Sequence, residues 1–263
     1  MQGAPEVARA LRGAAKLLWN RRHDIARPAT ARPAAIVGEG ADRSVVVPGI
    51  TDYVDLDDWD ARANPSGGNS HSKLAGFAAK LGERLERRRT DDGTVTLLAP
   101  ISDRTEADTR AIAMSYVRAC IDPTQVTTNL SGVRDAFRQG VKTVRDAPDQ
   151  TGQLLALTPF VPRRVVKLAA DLLFGFGCRP DQHGEFRERR HGDLAVVCSN
   201  LGDVDPAVAR PDGTDAEYVM LRGVDQNVTR QYIESLGGQL VVNGARIVGK
   251  MSISVIGYLR GGE

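Results

Sequence analysis

The stretch "GDLAVVCSNLGDV", residues 192–204, sets an apolar run, Leu194-Ala195-Val196-Val197-Cys198, directly against Ser199 and Asn200 and then turns on Leu201-Gly202-Asp203. A short apolar run bounded by turn formers reads as a buried strand, here expected to stop at Ser199 and Asn200. Two readings of its polar end stand side by side. One is a plain strand-to-turn transition, since Asn, Gly and Asp tolerate turn conformations that β-branched residues resist. The other is a strand that delivers polar groups to a cleft.

Working outward, a chain of 263 residues can bury a substantial core as one large domain or two smaller ones. With 35 Lys and Arg against 33 Asp and Glu, a net charge of +2 supplies no strong field for nucleic acid or an anionic membrane. Cys120, Cys178 and Cys198 lie too far apart for a disulfide framework or a zinc spacing, and Cys120 and Cys198 sit in apolar strand-like runs. No apolar run approaches the roughly 20 residues that span a bilayer, so no transmembrane segment and a cytoplasmic location are expected.

Residues 4–22 have the spacing of an amphipathic helix, and "HDIARPATARPAAIVGEGAD" after it reads as an exposed connector. A boundary is placed there, with residues 1–43 as N-terminal helix and connector and 44–263 as the main body. "TDYVDLDDWDARA" predicts a strand running into a short helix with acidic residues in its first turn. "NSHSKLAGFAAKLGERLERRR", 69–89, carries the strongest helical pattern: Leu74, Phe77, Ala78, Leu81 and Leu85 form one apolar stripe, Asn69 or Ser70 caps it, and "TDDGT" at 90–94 stops it. "TVTLLAPIS" and "RAIAMSYVRACID" predict strands. Helices are expected over 127–146 and across 150–176, the latter broken by Pro159 and Pro162. "EYVMLRGVD", "GQLVVNG" and "ARIVGKMSISVIGYLRG" add three strands, the last two joined by a turn at Asn243-Gly244. This order predicts an α/β two-layer sandwich, a mixed sheet covered by helices.

The motifs that name common chemistries are missing: no G-x-S-x-G elbow, Walker A loop or H-E-x-x-H helix occurs. His23, His71, His183 and His191 lie in no catalytic signature and read as surface or capping residues. The basic runs "ERLERRR" and "FRERRHG" are interrupted by Glu83, Glu86, Glu185 and Glu188, as on a solvated, charge-paired helix face. A short helix and wing-like hairpin in "TRQYIESLGGQLVVNGARIVGK" lacks the preceding helix and basic face that DNA binding needs.

Several segments in fixed order resemble the C-terminal half of the condensation-domain and wax ester synthase/diacylglycerol acyltransferase superfamily, whose fold is that of chloramphenicol acetyltransferase. They are "DDWDARA", "GGNSHSKLAGFAAKLGERL", "TVTLLAPISDR", "VVCSNLGDV" and "GKMSISVIGYLRG", within residues 44–263. The resemblance implies one subdomain of a pseudo-dimer that encloses a tunnel for a thioester of coenzyme A or of a carrier protein, with no tightly bound cofactor and no metal. It implies that Ser199, Asn200, Gly202 and Asn69 contribute to substrate binding, Ser199 and Asn200 by orienting the substrate or holding oxyanion charge. The family's base is the second histidine of His-His-x-x-x-Asp-Gly, on the other subdomain. No His-His pair occurs in this sequence. The chain is therefore expected to be inactive alone, with no catalytic residue assigned, and to be a truncated product or one part of a split enzyme. Its partner would be an N-terminal-type half or a second copy. The alternative is a non-catalytic ligand-binding or protein-interaction module on the same fold.

Overall fold

The computed structural model describes residues 43–105, 107–109, 114–146, 194–223 and 228–259. The expected N-terminal helix and connector, the helical region 150–176, Cys178, His23, His183, His191 and the "FRERRHG" run lie outside these. Among the described residues, six strands form one mixed sheet: β1 (Gly49–Asp55), β2 (Val95–Ser102), β3 (Met114–Ile121), β4 (Val196–Asp203), β5 (Gly238–Ile247) and β6 (Lys250–Leu259), in the spatial order β1-β6-β5-β4-β2-β3. The central strands β2, β4 and β5 run parallel. The β1–β6, β5–β6 and β2–β3 pairs are antiparallel. Three helices, α1 (Leu56–Ala63), α2 (Ser70–Arg84) and α3 (Ser131–Asp146), cover one face. Trp59 of α1, Leu74 of α2 and Phe137 of α3 join one core with Leu97, Val196, Val242 and Met251 of the sheet. This is the expected α/β two-layer sandwich.

The opposite face is covered by chain rather than by long helices. Val47, Val228 and Ile233 of the six-residue helix α4 (Arg230–Ser235) pack on Ile256. Ser254 Oγ donates to the Leu221 carbonyl at 2.9 Å, and the Tyr218 ring lies 5.0 Å from that of Tyr53. Residues 217–223 of "EYVMLRGVD" are therefore a covering segment, not a strand: they lie against the sheet and join no ladder, and Val224 and Asp225 lie outside the described residues.

Helix α2 sits lower on the sheet than its large apolar residues imply. Phe77 is 41% exposed, and the buried face is Ser72, Leu74, Ala75, Gly76, Ala78, Ala79 and Gly82. Small residues let the helix approach the strands closely, whereas a seam through Phe77 would hold it off. The helix also ends before "TDDGT". Glu86 takes φ 58°, and Glu86 N–H and Arg87 N–H return to the carbonyls of Glu83 and Gly82 at 3.1 and 2.8 Å. This is the double bond pattern that closes a helix on a left-handed residue. Arg87, expected on a solvated face, is 1% exposed; its Nη1 donates to the Ala195 carbonyl at 3.1 Å, just ahead of β4.

Two turn expectations are corrected. Strand β4 does not stop at Ser199 and Asn200 but continues to Asp203 through a register shift after Asn200. Strand β5 runs straight through Asn243-Gly244, and the hairpin turns instead at Val248-Gly249, with φ 51° and 68°. The glycine at 244 serves packing: a Cβ there would lie 2.5 Å from Leu74 Cδ2 and 2.6 Å from Met251 Cε. The tight turn then falls on Val248, a β-branched residue in a left-handed conformation that disfavours it. Val248→Asn should therefore raise stability by about 1 kcal/mol, read as a higher denaturant midpoint with an unchanged slope.

Candidate functional site

The site forms where the N-terminus of α2 meets the carboxyl ends of the parallel strands, the end of an open α/β sheet at which ligands commonly bind. Asn69 starts the helix. Its Oδ1 accepts from the Ser72 N–H at 2.9 Å, while Ser72 Oγ accepts from the Asn69 N–H at 2.7 Å. This reciprocal cap fixes the first turn. His71, one residue inside, shares a face with Leu74, Ala75 and Ala78 at helical spacing. Its ring meets Phe137 of α3 edge-on, with centroids 4.9 Å apart at 85°.

Beneath His71 lies Asn200 of β4, the register partner of Gly244 on β5. Asn200 Oδ1 accepts from the Gly202 N–H at 2.9 Å, so its Nδ2 is the end that faces His71 Nδ1, at 3.3 Å. The amide orientation is assigned by that backbone donor. An amide NH2 can only donate, so Nδ1 is the acceptor and the proton of the neutral ring resides on Nε2. Burial lowers the His71 pKa below its ordinary 6.5, which favours this neutral form. Gly202, at φ 69°, permits the turn that brings its N–H back to Asn200.

The four residues expected to bind substrate are thus divided. Asn200 and Gly202 belong to this cluster, and Asn69 borders it while its side-chain oxygen is engaged in the cap. Ser199 points to the other face, because successive side chains of a strand alternate. There it ends a polar row that crosses four strands through Asn243, Ser254 and Thr51. Ser199 and Asn200 consequently do not converge on one carbonyl. His71 was read from sequence as a surface or capping residue; its spacing from Leu74, Ala75 and Ala78 was the signal that it faces the core.

Cys198, next to Ser199, is buried and its thiol is pushed up to about 12 by desolvation. Cys120 lies in the expected strand and is exposed, because the alternation of β3 buries Ser115, Val117, Ala119 and Ile121 and turns Cys120 to the other face. Among the described residues no group of three His, Cys, Asp or Glu is placed to hold a metal. An open hollow of about 450 Å³ between β3 and α3 includes Tyr116, Arg118 and Gln139 in its lining, away from the His71–Asn200 pair. Among the described residues no helix is long and apolar enough to cross a membrane.

No protein-family model and no curated protein matches the sequence. Solved structures similar to the chain include the epimerization domain from the third module of tyrocidine synthetase B, at 10% identity over 98% of this chain and 52% of that one, with a TM-score of 0.43. They also include the wax ester synthase/diacylglycerol acyltransferase from Marinobacter aquaeolei VT8, at 13% identity over 94% and 50%, TM-score 0.46. A third is the trichothecene 15-O-acetyltransferase from Fusarium sporotrichioides, at 13% identity over 82% and 44%, TM-score 0.46. These are the kinds of protein that the sequence segments resemble. The chain spans about half the length of each, and at these values no residue role, substrate or partner passes from them to it.

Two measurements probe the cluster. Because the folded His71 pKa lies below 6.5, the unfolded chain takes up the proton first as pH falls. His71 is neutral in both states well above 6.5, where it adds no pH dependence, and it lowers stability progressively as pH drops below that value. The denaturant midpoint should fall over this range, and His71→Gln should remove that part of the slope. Separately, Asn200→Ala abandons two polar partners and should lower stability by about 1–3 kcal/mol. Ser199→Ala, whose hydroxyl has no hydrogen bond among the described residues, should change it by less than about 0.5 kcal/mol.

Proposed function

We propose that this chain is the thioester-binding half of an acyltransferase-type site and that a second half, bearing His-His-x-x-x-Asp-Gly, supplies the base. The ligand is an acyl thioester of coenzyme A or of a carrier protein. The observation that carries the reading is where the family-like segments fall. "GGNSHSKLAGFAAKLGERL" forms α2 and "VVCSNLGDV" forms β4, and they meet through the His71–Asn200 contact at the open end of the parallel strands.

On this reading, the same contact leaves the half without a base of its own. A general base must present a free lone pair to the proton it takes. In His71 the Nδ1 lone pair is occupied by the Asn200 amide and Nε2 carries the proton. Cys198, with its thiol near 12 and its side chain buried, offers no thiolate nucleophile at neutral pH. A positioned base is worth roughly a hundredfold to ten-thousandfold in rate, so its absence leaves binding and polarisation without efficient transfer.

The test is calorimetric binding of octanoyl-CoA by the full chain, alongside release of free CoA in the presence of alcohols and amines. Saturable binding without turnover is the expected result. Efficient turnover by the chain alone would overturn the half-site reading, and failure to bind any acyl thioester would overturn the assignment of ligand.

A further inference from the structure

We infer that His71 is a neutral hydrogen-bond donor to the carbonyl oxygen of the bound acyl group, acting through Nε2–H. This rests on the thioester-binding reading above and assigns the group that recognises the carbonyl. Three features carry it. The Gly202 N–H fixes the Asn200 amide, and the amide in turn fixes the imidazole tautomer. The ring is held from the side by Phe137, edge-on at 4.9 Å. Among the described residues no group is hydrogen-bonded to Nε2 of this half-buried ring. A ring locked in place with one donor left over is preorganised for an acceptor oxygen.

A neutral imidazole suits this part better than an imidazolium. At the first turn of the fifteen-residue α2 a second positive charge would oppose the helix dipole, and burial penalises it further. As a nucleophile adds to the thioester carbon, the π pair of the C=O bond moves onto oxygen. The Nε2–H bond strengthens toward that oxygen while the imidazole keeps its proton throughout. Asn200 touches no substrate in this scheme and is a positioning residue that acts through the tautomer.

The test compares octanoyl-CoA with octyl-CoA, the thioether in which the carbonyl is replaced by CH2. Wild-type chain should bind the thioester about tenfold more tightly, the size expected of one net hydrogen bond. His71→Phe should erase that preference, read as the ratio of the two affinities within the variant. Equal binding of the two ligands by wild type, or a preference that survives in His71→Phe, overturns the donor role and leaves the thioester-half reading intact. If neither ligand binds, the half-site reading itself fails, and the donor assignment with it. Imidazole ¹⁵N chemical shifts of the wild-type chain at pH 7.5 read the tautomer without any variant. A protonated Nε2 and bare Nδ1 are expected, and the reverse assignment overturns the inference.

Discussion

The close seating of α2 on the parallel strands is the constraint on which the rest depends. It is achieved by subtraction: Ala75, Ala78, Ala79 and Gly82 on the helix and Gly244 on β5 remove side-chain bulk where helix and sheet meet. With Leu74 Cδ2 and Met251 Cε occupying the volume a Cβ at position 244 would need, the helix axis is brought down toward the sheet. Only at that separation does His71, one turn before Leu74, reach the Asn200 amide in a contact of 3.3 Å. Dense packing is unforgiving of an added methyl group at such a point, so geometry at the His71–Asn200 end is inherited from packing in the middle.

The other end of α2 is secured differently. The left-handed Glu86 turns the chain so that Arg87 enters the interior, where Nη1 holds the Ala195 carbonyl while Nε and Nη2 have no partner among the described residues. Burial lowers its pKa to about 10, so the guanidinium stays charged at neutral pH and carries a desolvation cost. The hydrogen bond to the Ala195 carbonyl offsets part of that cost and ties the end of α2 to the start of β4. The helix is thereby attached to one strand at two points, through Arg87 at Ala195 just ahead of β4 and through His71 at Asn200 in its second half, which sets α2 and β4 in a single register.

The fold class was legible because it rests on periodicities that survive tertiary context. The strand over "TVTLLAPIS", the helix opening at Asn69, and the acidic first turn after Asp55 all lie where their patterns place them. What was not legible depended on neighbours distant in sequence. Asn243-Gly244 has turn chemistry, yet Leu74 and Met251 claim the glycine, and the hairpin reverses at the less suited Val248-Gly249. The apolar stripe of α2 passes through the large Phe77, while the face that the helix buries is, apart from Leu74, made of small residues that hydropathy ranks lower. For the site, Asn200 and Gly202 were visible as a polar break after an apolar run. The parity of the strand, which separates Ser199 from Asn200, follows from sequence as well, and it shows that adjacent polar residues on a regular strand rarely share a cleft. His71 required the 3.6-residue period to be applied to a polar side chain, because nothing in its immediate neighbours marks it.

The direction of the hydrogen bonds then limits the chemistry. Gly202 donates to Asn200, and Asn200 donates to His71. Donation passed along in one sense leaves the last member, Nε2, as a donor as well, so the chain of bonds ends in a partial positive charge on Nε2–H. An arrangement of this polarity stabilises an oxygen that gains electrons and is poorly suited to removing a proton. A carboxylate in place of the Asn200 amide would reverse the order, with Nδ1 donating and Nε2 free to accept, as in triads where an acid orients a histidine base. The choice of amide over acid at position 200 therefore suits His71 to donating a hydrogen bond rather than to abstracting a proton.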